Sequence, residues 1–278
     1  MIGIKIEGRL GSRTERHRLT RFSTSSPYNF EPKGYPPPDQ LWQVPAKQFL
    51  ISCMGNLWGG KAEVARNWLL NERILTEETL RKHCIGYNPK DLFIPRETWG
   101  LPPELDERGR PRKLWIPEGV VIPILRGAEL YQLRIRRLNF QDGKKYIFVA
   151  GGSAAPMTIH NRKKHTVVVE SALDAILIDQ EAGSLVNVLA LGSVSMRPDT
   201  EAHRVLSSSR DILVALDTGD ATSAGAKEAW RWWRTHYEHA LRCPIIGGKD
   251  PTEAALNGVN LWSWIEAALA GGAVVMKK

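Results

Sequence analysis

Hydrophobic and polar positions alternate in two different ways along this chain, and the change falls near residue 165. From residue 166 to residue 253, short runs rich in Val, Ile and Leu are separated by longer segments with helical spacing; the runs cover residues 166–169, 186–191 and 212–216. Short β-branched runs that alternate with helix-length segments predict a parallel sheet with crossover helices. Glu170 and Asp217 each follow such a run directly. They are therefore predicted to lie at the carboxyl ends of strands, where open α/β sheets build their sites.

Before residue 166 the pattern predicts a smaller, mixed unit. Residues 40–86 have helical spacing, and Thr76 followed by two acids is typical of a helix start. Residues 88–117 are rich in Pro, Gly and charge and are predicted to form a long loop. Antiparallel strands are predicted for the runs at 119–125, 130–137 and 145–150. Asp142-Gly143 is a turn signal between the last two of these strands, and residues 151–164 are predicted to be a linker.

Together these patterns predict a chain in three parts that contains an α/β domain and is α+β overall. Residues 1–40 form an irregular basic arm, residues 41–165 a mixed α+β subdomain, and residues 166–270 a domain with a parallel sheet flanked by helices. The arm has no apolar period, and its scattered arginines are Arg9, Arg13, Arg16, Arg18 and Arg21. A solvated tail explains them, and contact with phosphates is the alternative.

Charge is distributed unevenly between the two parts of the chain. Residues 1–165 carry 28 Lys and Arg against 16 Asp and Glu, whereas residues 166–278 carry 10 against 14. A basic part joined to an acidic part suits a protein that grips a polyanion with one and holds a divalent metal with the other. The balance alone is weak support, because many basic proteins bind no nucleic acid.

Composition also excludes several classes of protein. The chain has no run of eighteen apolar residues and no signal-peptide pattern, so we expect a cytoplasmic protein without a membrane partner. Cys53, Cys84 and Cys243 lie far apart and form no Cys-x-x-Cys pair. They predict neither a disulfide framework nor a zinc site in this chain.

The acidic residues of the C-terminal part are the candidate chemistry. Carboxylates at two separate strand ends can hold one or two divalent ions, which assist phosphoryl transfer. Glu170 could be a ligand or a general base, and Asp174 follows one helical turn later. Asp217 and Asp220 flank a glycine in a predicted tight turn. The alternative is that such acids only cap helices, for which Ser171 and Ser193 are also candidates.

A last short apolar run precedes a further charged pair. Lys249 and Asp250 follow Ile245-Ile246, and a lysine there could meet a phosphate as a point charge.

These motifs carry a resemblance to a known family. The segment 169–175, the Gly192-Ser193 turn, the segment 216–225 and Lys249-Asp250-Pro251 resemble the Toprim domain, in particular that of bacterial DnaG-type primases and related plasmid and phage primases. Residues 75–89 resemble the helical lead-in of the primase core. Its basic β subdomain is matched by segments 121–124, 134–136 and 145–146. The resemblance covers roughly residues 60 to 265.

The resemblance implies a primase core without zinc-binding and helicase domains, from a plasmid, phage or other mobile element. Glu170, Asp217 and Asp220 would be the catalytic acids and would bind Mg²⁺ or Mn²⁺, with Asp174 as a helper. The partners would be single-stranded DNA as template, nucleoside triphosphates, and a separate helicase or zinc-binding domain. The product would be short oligonucleotide primers.

The nucleotide or nucleic acid would be held mainly by basic residues of two neighbouring predicted strands. These residues are Arg134, Arg136, Arg137, Lys144 and Lys145, with Lys249 and Asp250 bordering the metal site. Arg134 and Arg136 alternate along a strand and are predicted to project from one face. A solvated sheet face is the alternative reading of the same pattern.

One departure from the family pattern keeps other functions open. The family's second motif is usually Asp-x-Asp, whereas Asp217 and Asp220 are three positions apart. A nucleic-acid-binding module would keep the basic part while the longer loop holds no metal. A Toprim nuclease would use the same acids to hydrolyse phosphodiesters. A topoisomerase is not expected, because it needs a nucleophilic Tyr on a further domain and this chain is too short to supply the usual scaffold.

Overall fold

The computed structural model describes residues 30–216 and 224–271 of the chain. The N-terminal part begins with helices, and the first of them is held by a polar cap and an apolar stripe. The helices are α1 (Gln40–Asn56), α2 (Glu63–Asn67) and α3 (Glu77–Lys82). Asp39 caps α1 by accepting a hydrogen bond from the Trp42 backbone N–H. Trp42, Ala46, Leu50 and Cys53 recur at helical spacing, and all are buried.

The strands of the N-terminal part form one antiparallel sheet and one small hairpin. They are β1 (Gly86–Asn88), β2 (Leu92–Pro95), β3 (Lys113–Ile116), β4 (Gly119–Arg126), β5 (Glu129–Arg136) and β6 (Tyr146–Phe148). The sheet has the order β1-β4-β5-β6, and β2 pairs only with β3 among the described strands. The antiparallel pairing of β4, β5 and β6 confirms the prediction for that region.

The prediction of a long loop over residues 88–117 is wrong. Strands β2 and β3 lie within it, because Leu114 and Ile116 alternate inward and are buried while Phe93 on the opposite face is exposed. The Pro, Gly and charged residues belong to the connection between these two strands, where Gly109 has a positive φ of 72°.

The C-terminal part contains the predicted parallel sheet. Its strands are β7 (Met157–Ile159), β8 (His165–Val169), β9 (Asn187–Ala190), β10 (Asp211–Val214) and β11 (Ala240–Arg242), and its helices are α4 (Ala172–Ala182), α5 (Thr200–Ser207), α6 (Ala224–His236), α7 (Pro251–Leu256) and α8 (Leu261–Leu269). The strand order is β11-β10-β8-β9-β7. Strands β8 to β11 are parallel, whereas β7 pairs antiparallel with β9. The predicted linker 151–164 therefore contributes an edge strand to this sheet.

A single apolar cluster joins the two sheets. Leu80 of α3, Ile122 of β4, Val169 of β8 and Ile176 of α4 belong to it, and each is fully buried. The mixed α+β class predicted from the sequence is confirmed. Among the described residues, no helix is both long and apolar enough to cross a membrane.

Two buried polar contacts also connect the parts. Asp179 on α4 accepts hydrogen bonds from Lys82 at 2.6 Å and Asn161 at 2.7 Å, and it meets His83 Nε2 at 2.7 Å. Arg126 at the end of β4 forms an ion pair of 2.7 Å with Asp199, the cap of α5. These contacts fix how the two sheets face one another, and therefore fix the space between them.

Candidate active site

A cavity of about 310 Å³ lies where the two sheets meet. Acidic residues reach it from the parallel sheet and its helices, and cations and aromatic rings reach it from the N-terminal part. Its lining consists of Trp68, Arg73, Arg136, Lys145, Tyr146, Glu170, Ser171, Asp174 and Asp250. Opposite charges therefore face each other across the cavity.

Parallel pairing brings the acidic strand ends to one edge of the sheet. Glu170 follows β8 directly, and its carbonyl accepts a hydrogen bond of 2.8 Å from the Gly192 N–H. On the other side of β8, the Ala215 N–H donates to the Val168 carbonyl at 2.8 Å. Strand β10 therefore leads its chain to the same edge as Glu170. The predicted ligands Asp217 and Asp220 lie outside the described residues.

Asp174 is held in a dense polar network. Its carboxylate forms a 2.9 Å ion pair with Arg73 and accepts hydrogen bonds from Ser171 at 2.5 Å and Thr252 at 2.8 Å. Ser171 also caps α4 by accepting from the Asp174 N–H, which confirms the predicted cap. Burial raises the pKa of Asp174 and the charge of Asp250 adds to this, while Arg73 and the two hydroxyl donors oppose it.

The cations of the cavity are stacked on aromatic rings. The guanidinium carbon of Arg136 lies 5.3 Å from the centre of the Trp68 ring and 5.4 Å from that of Tyr146. The guanidinium of Arg73 approaches Trp68 at 5.8 Å. Tyr146 is the cross-strand partner of Arg136, which explains why these two side chains meet. Lys145 lines the same cavity from an exposed position.

Two residues of this cavity, Trp68 and Arg73, were not among the residues predicted for the site from the sequence. Residues Trp68–Glu72 form a π-helical turn, a local form that often occurs at functional sites. Ile74 then takes a positive φ of 49°. Neither the π-helical turn nor the positive φ changes the hydrophobic periodicity, so the sequence pattern does not predict that Trp68 and Arg73 line the site.

Among the seven predicted binding residues, Arg136, Lys145 and Asp250 line the cavity and the other four do not. Arg137 points away from it, forms a 2.6 Å ion pair with Asp142, and borders a separate cavity of about 270 Å³. Lys144 is exposed in the turn between β5 and β6. Lys249 is also exposed and lies 3.7 Å from Glu253.

Of these seven residues, Asp250 also has a structural role, and Arg134 is the fourth that does not line the cavity. Asp250 caps α7 by accepting a hydrogen bond of 2.8 Å from the Glu253 N–H, so part of its function is structural. Arg134 is on the same face of β5 as Arg136 but is almost completely buried, with 6% of its surface exposed.

The donors at this site are the hard oxygen ligands that Mg²⁺ and Mn²⁺ prefer. Within residues 30–216 and 224–271, no three His, Cys, Asp or Glu side chains come close enough together to hold a metal ion. Asp174 is committed to Arg73 and the two hydroxyls.

Comparison with solved structures identifies the fold. The RNA polymerase domain of Mycobacterium tuberculosis primase DnaG matches with a TM-score of 0.61 at 15% identity, covering 82% of both chains. The Escherichia coli primase catalytic core matches with a TM-score of 0.60 at 16% identity, covering 84% of this chain and 79% of that one. A DnaG primase catalytic domain bound to single-stranded DNA matches with a TM-score of 0.63 at 17% identity, covering 84% and 81%. No protein-family model and no curated protein matches the chain. The chain has the fold of DnaG primase catalytic cores, and the predicted resemblance is confirmed at the level of fold.

Proposed function

We propose that the protein is a DNA primase core that makes short oligonucleotide primers on single-stranded DNA by metal-dependent nucleotidyl transfer. The observation that carries the proposal is the cavity between the sheets. Acids from the parallel sheet and its helices, Glu170, Asp174 and Asp250, face Arg136 and Lys145 there. The chain shares its fold with DnaG primase catalytic cores, one of which was solved bound to single-stranded DNA.

The basic wall of the cavity would bind the incoming nucleoside triphosphate. Arg136 and Lys145 would neutralise phosphate charge. The guanidinium of Arg73 is tied to Asp174 and would contribute its remaining donors. Trp68 and Tyr146 offer ring faces beside these cations, which suits a nucleobase or sugar. The primer 3′-oxygen would then bond to the α-phosphorus while pyrophosphate leaves, and the hydroxyl proton would pass to solvent.

Glu170, Asp217 and Asp220 would hold Mg²⁺ or Mn²⁺ at the acidic edge. Such an ion, when bound, neutralises the triphosphate and favours the reactive form of the primer hydroxyl. Asp174 would act through Arg73, whose guanidinium it fixes at the rim of the cavity. We do not assign Asp174 as a direct metal ligand, because both oxygens of its carboxylate already accept hydrogen bonds.

The template would run over the basic N-terminal part. Arg137 stacks on Trp115 with its guanidinium carbon 5.4 Å from the ring centre, and Phe93 is the exposed cross-strand partner of Trp115. Exposed aromatic rings beside cations are typical of surfaces that bind single-stranded nucleic acid. Lys144 lies in the adjoining turn. A separate helicase or zinc-binding partner and a mobile-element origin stay predictions from the resemblance.

The test is primer synthesis on single-stranded DNA with labelled ribo- and deoxynucleotides and Mg²⁺ or Mn²⁺. The variants are Glu170→Gln and Asp217→Asn, with Glu107→Gln, an exposed carboxylate that does not line the cavity, as matched control. Metal-dependent oligonucleotides that are lost in the first two variants and kept in the third support the proposal. Shortening of the template would instead identify a nuclease. Bound DNA without any product would identify a binding module and refute the primase.

A further inference from the structure

Arg134 carries a buried positive charge that lacks an acidic partner. The residue is 6% exposed, and among the described residues no carboxylate oxygen lies within 4.0 Å of its guanidinium. Its Nη2 donates a long hydrogen bond of 3.4 Å to the Ala155 carbonyl, and its Nε has no partner within the described part of the chain. The Phe148 ring lies 5.2 Å from its guanidinium carbon.

This arrangement is unfavourable for the protein without a ligand. Removing a charged group from water is costly unless the charge is paired and its donors are satisfied. The other deeply buried arginine, Arg126, meets this condition through Asp199 and Glu201. Consistent with the difference, burial lowers the pKa of Arg134 to about 10. An anion that joins Arg134 would supply the missing partner.

The geometry around the guanidinium indicates where such an anion would bind. Arg134 Nη1 lies beneath Gly192, since a Cβ built on that glycine would be 3.9 Å from it. Gly192 is exposed and has a φ of 97°, a conformation that side chains disfavour. The turn continues with Ser193 and Ser195, whose hydroxyls are 3.0 Å apart. The turn above the Arg134 guanidinium therefore also carries two hydroxyl groups, and we call this turn together with the guanidinium the notch.

The notch adjoins the cavity rather than standing apart from it. The Gly192 N–H donates to the carbonyl of Glu170, an acid of the cavity. On β5, Arg134 precedes Arg136 by two residues, which places their Cα atoms roughly 6.6 Å apart along one strand face. One polyanion could therefore contact Arg136 in the cavity and Arg134 at the notch together.

We infer that Arg134, Gly192 and Ser193 form a phosphate-binding subsite at the edge of the catalytic cavity. The phosphate belongs either to the nucleotide's triphosphate or to a nucleic-acid strand, and both share the chemistry of the subsite. Only this choice of source rests on the proposed function. The subsite itself follows from the buried charge and the open turn above it.

The experiment compares wild type with Arg134→Met, Ser193→Ala and Arg112→Met. Arg112 is the control, an exposed arginine paired with Glu104 at 3.0 Å. Each protein is melted without ligand, and then titrated with inorganic triphosphate and with a labelled single-stranded oligonucleotide at several salt concentrations. Met fills a similar volume without charge, so we expect Arg134→Met to melt at or above the wild-type temperature.

We expect Arg134→Met to weaken binding of one of the two probes roughly tenfold, because a charge-assisted hydrogen bond is lost. Ser193→Ala is expected to weaken the same probe roughly threefold, as for a neutral hydrogen bond. Loss of triphosphate binding identifies the nucleotide as the source. Loss of oligonucleotide binding, with a salt slope smaller by about 1, identifies the strand.

Two results would overturn the inference. Equal binding of both probes by wild type and Arg134→Met would show that no phosphate meets this guanidinium. A lower melting temperature of Arg134→Met with unchanged binding would show that Arg134 serves the fold alone. Primer synthesis is measured separately. If the wild type makes no primers but Arg134→Met still binds triphosphate more weakly than the wild type, the proposed function is refuted and the phosphate-binding subsite is supported.

Discussion

Replacement of Asp174 by Asn tests whether this carboxylate organises the site or binds metal. The variant keeps an oxygen for Thr252 but removes the charge that faces Arg73 at 2.9 Å. The pair is largely buried, with side-chain exposures of 7% for Asp174 and 18% for Arg73. Removing one partner of such a pair can cost about 3–5 kcal/mol.

Two features reduce this cost. Asn retains most of the hydrogen bonds of Asp174, and it no longer requires the burial of a carboxylate, which raises the pKa of the native group. We therefore expect a loss near that of one charge-assisted hydrogen bond, about 1.5–3 kcal/mol in the free energy of unfolding. For a chain of this size that corresponds to a melting temperature lower by about 3–12 °C.

The assay is thermal and urea unfolding of wild type, Asp174→Asn, Arg73→Met and the double variant. If the two side chains stabilise each other, the double variant loses less than the sum of the single losses, with a coupling of about 1–3 kcal/mol. Mn²⁺ binding is measured on the same proteins, with Glu170→Gln as reference. An Asp174→Asn variant of unchanged stability that loses Mn²⁺ binding as completely as Glu170→Gln would refute the reasoning.

Two further predictions concern the contacts that join the two sheets, and a third concerns the packing of β1 against α1. Burial would raise the pKa of Asp179, but its three side-chain donors outweigh this and hold the pKa well below the ordinary value of 3.8. The Asp179 carboxylate therefore stabilises the fold above about pH 4, and this stabilisation is lost as the pH falls. Asp179→Asn should make the unfolding free energy depend less on pH in the acid range, and an unchanged pH profile would contradict the prediction. Arg126→Met leaves Asp199 as an unpaired buried carboxylate and should cost about 3–5 kcal/mol in urea unfolding, whereas a loss below about 1 kcal/mol would count against the pair. Gly86→Ala would place a Cβ 2.7 Å from the Cys53 backbone and should lower the unfolding free energy by about 1–3 kcal/mol. A variant as stable as the wild type would contradict this prediction and would show that the backbone can shift.

Much of the fold could be predicted because local patterns and tertiary packing agree in the C-terminal part. The apolar runs around Val167, Leu189 and Leu213 became fully buried parallel strands, since each is long enough to form a strand and short enough not to form a helix. Ser171 caps its helix as expected for a hydroxyl between a strand and a helix. The hairpin of β2 and β3 was missed because its charged connection outweighed two short alternating segments.

The candidate site was only partly predictable, since strand ends can be read from a sequence but side-chain directions across two sheets cannot. Glu170 and Arg136 reach one cavity, whereas Arg137, next in sequence to Arg136, faces another. That separation follows from strand alternation once the position of the strand is known. Trp68 begins a π-helical turn and Arg73 follows its end, and the sequence does not indicate this turn. The roles of all these residues in binding and catalysis stay predictions.

The positions in the chain of the residues that line the cavity determine when the cavity can form during synthesis. Its wall begins with Trp68 and is completed by Asp250, while Thr252 fixes Asp174 from α7. Contacts between residues so distant in sequence form late in folding, because a long loop must close before they are gained. All described strands of both sheets precede Asp250 in the chain, so they are synthesised before the wall of the cavity is complete. The cavity can therefore close only after Asp250 and Thr252 have emerged from the ribosome.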